Sequence, residues 1–211
     1  MSQMNLTGKF TIQTWPERPE IATQEGRNKL VGLWLFLAGE SVLFATLFAT
    51  YLALKNRVPD SSHALTQDLY SLPLVFVMTA VLLTSSLTSV YAIHHMRNFN
   101  FKGTQLWFAI TVLLGLTFLA LEIYEFYHYT VEFGHTFRSS AFGSAYYFLV
   151  GTHGAHVCFG LGWITALLIR NAKRGLNLYN APKYYMASLY WHFIDVVWVF
   201  IFSVVYLMGM V

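Results

Sequence analysis

Five long apolar stretches divide this chain, at about residues 30–54, 70–94, 104–127, 140–169 and 187–210, and every connection between them is short. Each reaches the ~20 residues that a helix needs to cross a hydrocarbon core. The pattern predicts an all-α, polytopic membrane protein: a bundle of five transmembrane helices. Residues 1–28 are polar, with Pro16, Pro19 and charges of both signs, and read as a tail ahead of a 29–211 membrane domain. The fourth stretch is the longest and is expected to tilt or to begin outside the hydrocarbon, with Tyr146 and Tyr147 at an interface. Pro73 falls in the first turn of the second helix, where its missing N–H costs little.

Composition agrees. Of 211 residues, 56% are hydrophobic and 11% charged, where about 25% charged is usual for a soluble domain. The single cysteine, Cys158, precludes a disulfide within the chain. A net charge of +3 is too small to argue for a nucleic-acid partner, and none is expected. Met1-Ser2-Gln3-Met4 lacks the basic start of a secretory signal, so the first spanning helix is expected to direct insertion. The cations are unevenly placed. With five spans, Lys9, Arg18, Arg27, Lys29, Arg97, Lys102, Arg170, Lys173, Arg174 and Lys183 fall on one side. Only Lys55, Arg57 and Arg138 fall on the other. Ten against three puts the N-terminus in the cytoplasm and the C-terminus outside.

This orientation gives each buried polar group a depth at ~1.5 Å per residue. Glu40, His153, His156 and Asp195 come to a belt near mid-membrane on the first, fourth and fifth helices, with His192 a turn nearer the cytoplasm. Glu122, Glu125 and His128 form a stripe on the third helix, assigned to the outer surface. Ionisable groups in a span are costly, and functional by default. For Glu40 the readings are a proton-relay or ion-coupling group, or a neutral carboxyl bonded to His156 or Asp195. The structural one is favoured, because a relay needs a continuous chain of groups. His153 and His156, at i and i+3, suggest metal or haem, but the ligands that zinc or a haem bundle would require are missing, so helix-to-helix hydrogen bonding is preferred. His192 and Asp195 are spaced to pair across one turn. The Glu122–Glu125–His128 stripe admits a cation site, although a partly solvated face or a subunit contact is favoured. Thr84, Ser85, Ser86, Thr88 and Ser89 can bond their own backbone and read as structural. Gly115 permits close helix contact, and Arg170–Gly175 is a basic loop suited to anionic headgroups.

Four segments resemble one family. Tyr190-Trp191-His192-Phe193-Ile194-Asp195-Val196-Val197-Trp198 looks like the signature of subunit III of the haem-copper respiratory oxidases. Gly151–Val157 resembles that family's paired-histidine helix, Gly39–Phe44 its buried glutamate, and Glu122–Tyr129 its acidic-aromatic segment. They occur in family order and cover nearly everything from residue 28 onward. Many members have seven helices; this chain is similar to the short bacterial form that lacks the first two. The fifth helix and Asn171–Tyr179 look closest to the caa-type, cytochrome c-oxidising enzymes of Gram-positive bacteria, with quinol oxidases as the near alternative.

The resemblance implies a non-catalytic subunit of a proton-pumping terminal oxidase in the bacterial plasma membrane. It implies no cofactor or metal in this chain, with haems and copper in subunits I and II, and bound phospholipid in a cleft. The implied partners are subunit I as the main contact, subunit II, a small subunit IV and membrane phospholipids. The implied role is support of lipid binding, complex stability and sustained proton uptake by subunit I. Glu40 matches the family's carbodiimide-reactive glutamate; His153, His156, His192 and Asp195 match motif positions without assigned roles. An independent proton-coupled transporter using Glu40 and Asp195 is the contrasting reading, weakened by the lack of internal repeats or broken mid-membrane helices.

Overall fold

The computed structural model describes residues 14–55, 72–132 and 141–207. Five helices occupy them: α1 (Gln24–Lys55), α2 (Leu72–Arg97), α3 (Phe101–Glu132), α4 (Ala141–Asn171) and α5 (Ala181–Ile201), the last continuing as a π-helix over Phe202–Leu207. All five are long and apolar enough to cross a membrane, and no strand occurs among the described residues. Lys9, Arg57 and Arg138, used in the charge count, lie outside the described residues.

The helices outrun the apolar stretches that announced them. α1 begins at Gln24, α3 extends to Glu132 and α5 starts at Ala181. Hydropathy marks the part of a helix that meets hydrocarbon, whereas the i→i−4 ladder continues through polar residues at the interface. Pro182 in the first turn of α5 suits this early start.

α2 packs on α3 and α5, and α4 packs on α3 and α5, so these four helices close a ring. α1 lies outside it, against α4 and α5. The core of the ring holds Trp191, Trp198, Phe108, Phe118, Tyr184, Met78 and Leu82, all below 2% exposure. α1 instead turns Val31, Trp34, Leu35 and Val42 outward, as a helix facing lipid or another chain does.

Two tight turns fix one end of the bundle. Between α2 and α3, Phe99 takes a left-handed φ of 54°, and the Asn100 side chain accepts the Gly103 amide at 3.0 Å to open α3. Between α4 and α5, Gly175 adopts φ 67°, where a residue without Cβ is favoured. Asn180 secures that turn, donating to the Gly175 carbonyl at 2.7 Å and accepting the Asn177 amide at 2.9 Å. The segment before α1 is anchored here as well. The Trp15 indole donates to the Met96 carbonyl at 3.2 Å, and buried Glu20 pairs with Arg97 at 2.6 Å.

Candidate functional site

The mid-bundle belt is built where α1 enters the groove between α4 and α5. Glu40 on α1 meets His156 on α4, with Oε2 and Nε2 3.0 Å apart. The other ring nitrogen, Nδ1, lies 2.7 Å from the Thr152 carbonyl. A carbonyl only accepts, so Nδ1 carries a hydrogen. Nε2 then either accepts a proton from a neutral Glu40 or donates one, as imidazolium, to a carboxylate. In both arrangements the pair shares one proton and is neutral overall, the affordable state inside a membrane. Phe44 packs on the His156 ring at 5.1 Å, and the Tyr190 hydroxyl donates to the His156 carbonyl at 3.3 Å. Of the two partners considered for Glu40, His156 is the one found. Beside this pair opens a groove of about 310 Å³, lined by Phe36, Ala155, His156, Phe159 and Tyr190.

His153 points the other way, into the ring. Its Nε2 donates to the Ile194 carbonyl at 3.3 Å, and its imidazole lies between Phe118 and Trp198, with centroids 5.8 and 5.2 Å away. The two histidines therefore serve different helices and do not converge on a common point. Among the described residues no three His, Cys, Asp or Glu side chains are grouped to hold a metal ion.

His192 and Asp195 do not pair. His192 turns to α2, with Nδ1 2.6 Å from Ser86 Oγ, and its Nε2 is 3.5 Å from Ser188 Oγ. Asp195 is buried, and neither of its carboxyl oxygens has a directed hydrogen bond. Ser86 is near enough to influence it, but that hydroxyl is committed to His192. The i, i+3 spacing brought the two residues to one face, yet the hydroxyls of α2 offered the imidazole a better partner than a neighbouring acid.

Several α2 hydroxyls bond their own backbone, as expected, and some of them reach neighbouring helices as well. Ser85 Oγ donates to the Leu82 carbonyl at 2.6 Å and also accepts the Trp191 indole N–H at 2.9 Å. Thr79 accepts the Trp198 indole at 3.0 Å, Ser89 meets Ser188 at 2.7 Å, and Thr88 meets Thr111 of α3 at 2.8 Å. A polar seam thus joins α2 to α5. Its only trace in the sequence is that Trp191 and Trp198 recur seven apart, the spacing that returns both indoles to one face.

The acidic stripe also differs from its expectation. Glu122 and Glu125 are 2% and 1% exposed, inside the bundle and not on a solvated outer face. A Cβ on Gly154 would stand 2.9 Å from both Glu122 oxygens, so this carboxyl lies level with the His153–His156 turn. His128 is half-buried and packs near Tyr124, centroids 6.1 Å apart. Tyr146, assigned to an interface, is 4% exposed, and its hydroxyl is 3.1 Å from that of Tyr206.

The family model described as cytochrome c oxidase subunit III matches residues 19–210. Cytochrome c oxidase subunit 3 of Bacillus subtilis (strain 168) is 66% identical over 208 residues, which cover 99% of this chain and 100% of the relative. The protein of the same name from Bacillus sp. (strain PS3) is 67% identical over 209 residues, with the same coverage. Quinol oxidase subunit 3 of Bacillus subtilis is 48% identical over 191 residues, 90% of this chain and 92% of that one. An end-to-end match at this identity, on a chain whose described residues fold as five membrane-length helices, shows that the chain belongs to the cytochrome c oxidase subunit III family.

Proposed function

We propose that this chain is the non-catalytic third subunit of a proton-pumping cytochrome c oxidase, multi-pass in the bacterial plasma membrane with its N-terminus cytoplasmic. In this reading subunits I and II hold the haems and copper, and the chain sustains proton uptake and stability in subunit I. The observation that carries the reading is the Glu40–His156 pair beside an apolar groove of about 310 Å³. It is neutral overall, joins two helices and has aromatic neighbours, a construction suited to holding α1 and a phospholipid chain in place. Subunit I is the proposed main contact, with subunit II and a small subunit IV as further partners. The outward apolar face of α1 is the surface proposed to meet the helices that longer members carry themselves. Cytochrome c is favoured over quinol as donor because the relatives named for cytochrome c oxidase are 60–67% identical and those named for quinol oxidase 48–51%.

Purification through a tag on this chain tests the assignment: it should bring down a haem-copper core, and a haem spectrum bound to this chain alone would overturn it. Oxidation of reduced cytochrome c against quinol by that complex decides the donor. Glu40→Gln keeps a hydrogen-bonding amide opposite His156 and removes the titratable group. Initial turnover should stay within about twofold of wild type, as for an amide swap that preserves the bond, while carbodiimide labelling of this chain falls. Immediate loss of turnover in a fully assembled complex would assign Glu40 a direct catalytic part.

A further inference from the structure

Glu122 and Glu125 stand at i and i+3 on α3, both buried, in unlike surroundings. Tyr206 donates to Glu125 Oε2 at 3.2 Å and takes a hydrogen bond from Tyr146 at 3.1 Å. The π-helix at Phe202–Leu207 brings Tyr206 to this position, and single π turns recur at functional sites. Neither oxygen of Glu122 has a hydrogen-bond partner, and its carboxyl rests against α4 at Gly154, where any Cβ would crowd it. On the helices packed against α3, α4 carries Cys158, close enough to feel the Glu122 charge, together with His153 and His156; α2 carries His94, His95 and Arg97 in its last turn, and α5 carries His192 and Asp195. No Lys or Arg among the described residues forms an ion pair with Glu122.

Two carboxylates on one face of a helix, both out of water, disfavour each other's charge, and burial disfavours either. A hydroxyl donor favours negative charge on the carboxyl it reaches. A carboxyl without any donor, pressed against a glycine backbone, has only its own proton to remove its charge. The environments therefore separate the roles of the two acids. We propose that Glu122 and Glu125 form a proton-binding site in the bundle interior, with Glu122 holding the proton as a neutral acid and Glu125 held as acceptor by Tyr206 and Tyr146. The ligand is a proton, and the site is separate from the Glu40–His156 pair, which lies on α1 and the opposite side of α4's histidine turn.

Infrared absorption of the intact oxidase tests this directly. The wild-type minus Glu122→Gln difference should contain the C=O stretch of one protonated carboxylic acid, and the wild-type minus Glu125→Gln difference the paired bands of a carboxylate. Glu40→Gln should leave the Glu122 band in place. A carboxylate signature lost on Glu122→Gln, whether balanced by a cation or by water, would overturn the proposal, as would a protonated band assigned to Glu125 alone. Where Glu122→Gln does not assemble, Gly154→Ala displaces the carboxyl without removing it. The protonated band should then persist at a shifted frequency, and an unchanged spectrum would count against the site.

Discussion

Trp191 shows how much of this fold depends on one side chain. It is fully buried, donates to Ser85 of α2, and its six-membered ring lies where a Cβ on Gly115 of α3 would come within 2.7 Å. One indole thus ties α5 to two neighbours. Trp191→Phe should destabilise the complex by about 1 kcal/mol for the lost hydrogen bond, within the range for polar contacts between membrane helices. Gly115→Val should cost about 1–3 kcal/mol through overpacking. Thermal unfolding of the detergent-solubilised oxidase, followed by loss of this subunit, measures both; a neutral Gly115→Val would refute the close α3–α5 approach. A second test concerns the exposed Tyr179, in the turn between α4 and α5. The Lys183 ammonium lies 3.6 Å over its ring, with that of Lys29 at 4.9 Å, and these cations, Lys183 foremost, hold its phenol below the ordinary value of 10.0. A lowered folded-state value favours the phenolate in the native protein. The associated stability is present above the ordinary value and is lost as pH falls through the lowered one. Tyrosinate absorbance, taken as wild type minus Tyr179→Phe, should therefore appear at lower pH than for free tyrosine, and Lys183→Gln should move it back up.

Among the elements, α5 was the most legible and its last turn the least. Its polar groups stood out because an apolar run has no use for them, and Ser188, Trp191, His192 and Trp198 all reach hydroxyls of α2. Which neighbour each one chose was not readable. A serine that bonds its own backbone and one that also accepts an indole have the same sequence signature, so the α2–α5 seam waited on packing. The burial of Glu122 was hidden for a related reason: hydropathy placed α3 along the chain but not which of its faces turns into the bundle. The π turn was likewise silent, since Phe202–Leu207 differs in no compositional respect from the α-helical residues before it. Its consequence can be tested. Deleting Val204 would restore α-helical spacing and rotate Tyr206 by about 100° per residue removed, the angle of one step in a 3.6-residue turn. The bonds to Glu125 and Tyr146 should both be lost, at about 0.6 kcal/mol each by the average for such contacts in membranes. If the deletion left the stability of the α3–α4–α5 junction unchanged, Tyr206 would not be holding it.

For the bundle as a whole, five spans were readable because a hydrocarbon slab sets one length for all of them, and the ring of α2–α5 with α1 outside was not, because apolar helices look alike until they are packed. Orientation rests on a different physical ground, the distribution of Lys and Arg. Both turns resolved between helices, Asn98–Asn100 and Ala172–Asn180, lie at the end that carries Glu20, Arg97 and Lys183. That end bears most of the cations, and the positive-inside rule assigns it to the cytoplasm. The assignment predicts a labelling pattern. Cys158 is the only native thiol, so a Cys158→Ser chain provides a background free of thiols. In it, Ala172→Cys, exposed in the α4–α5 turn, should react with a membrane-impermeant maleimide only in inverted vesicles. Ser61→Cys, in the connection between α1 and α2, should react in intact spheroplasts. Reversed labelling of the pair would invert the topology and place the N-terminal end of α1 outside. It would also move the anchored Trp15–Glu20 segment, and the face on which the chain can influence proton uptake, to the wrong side of the membrane for the proposed role.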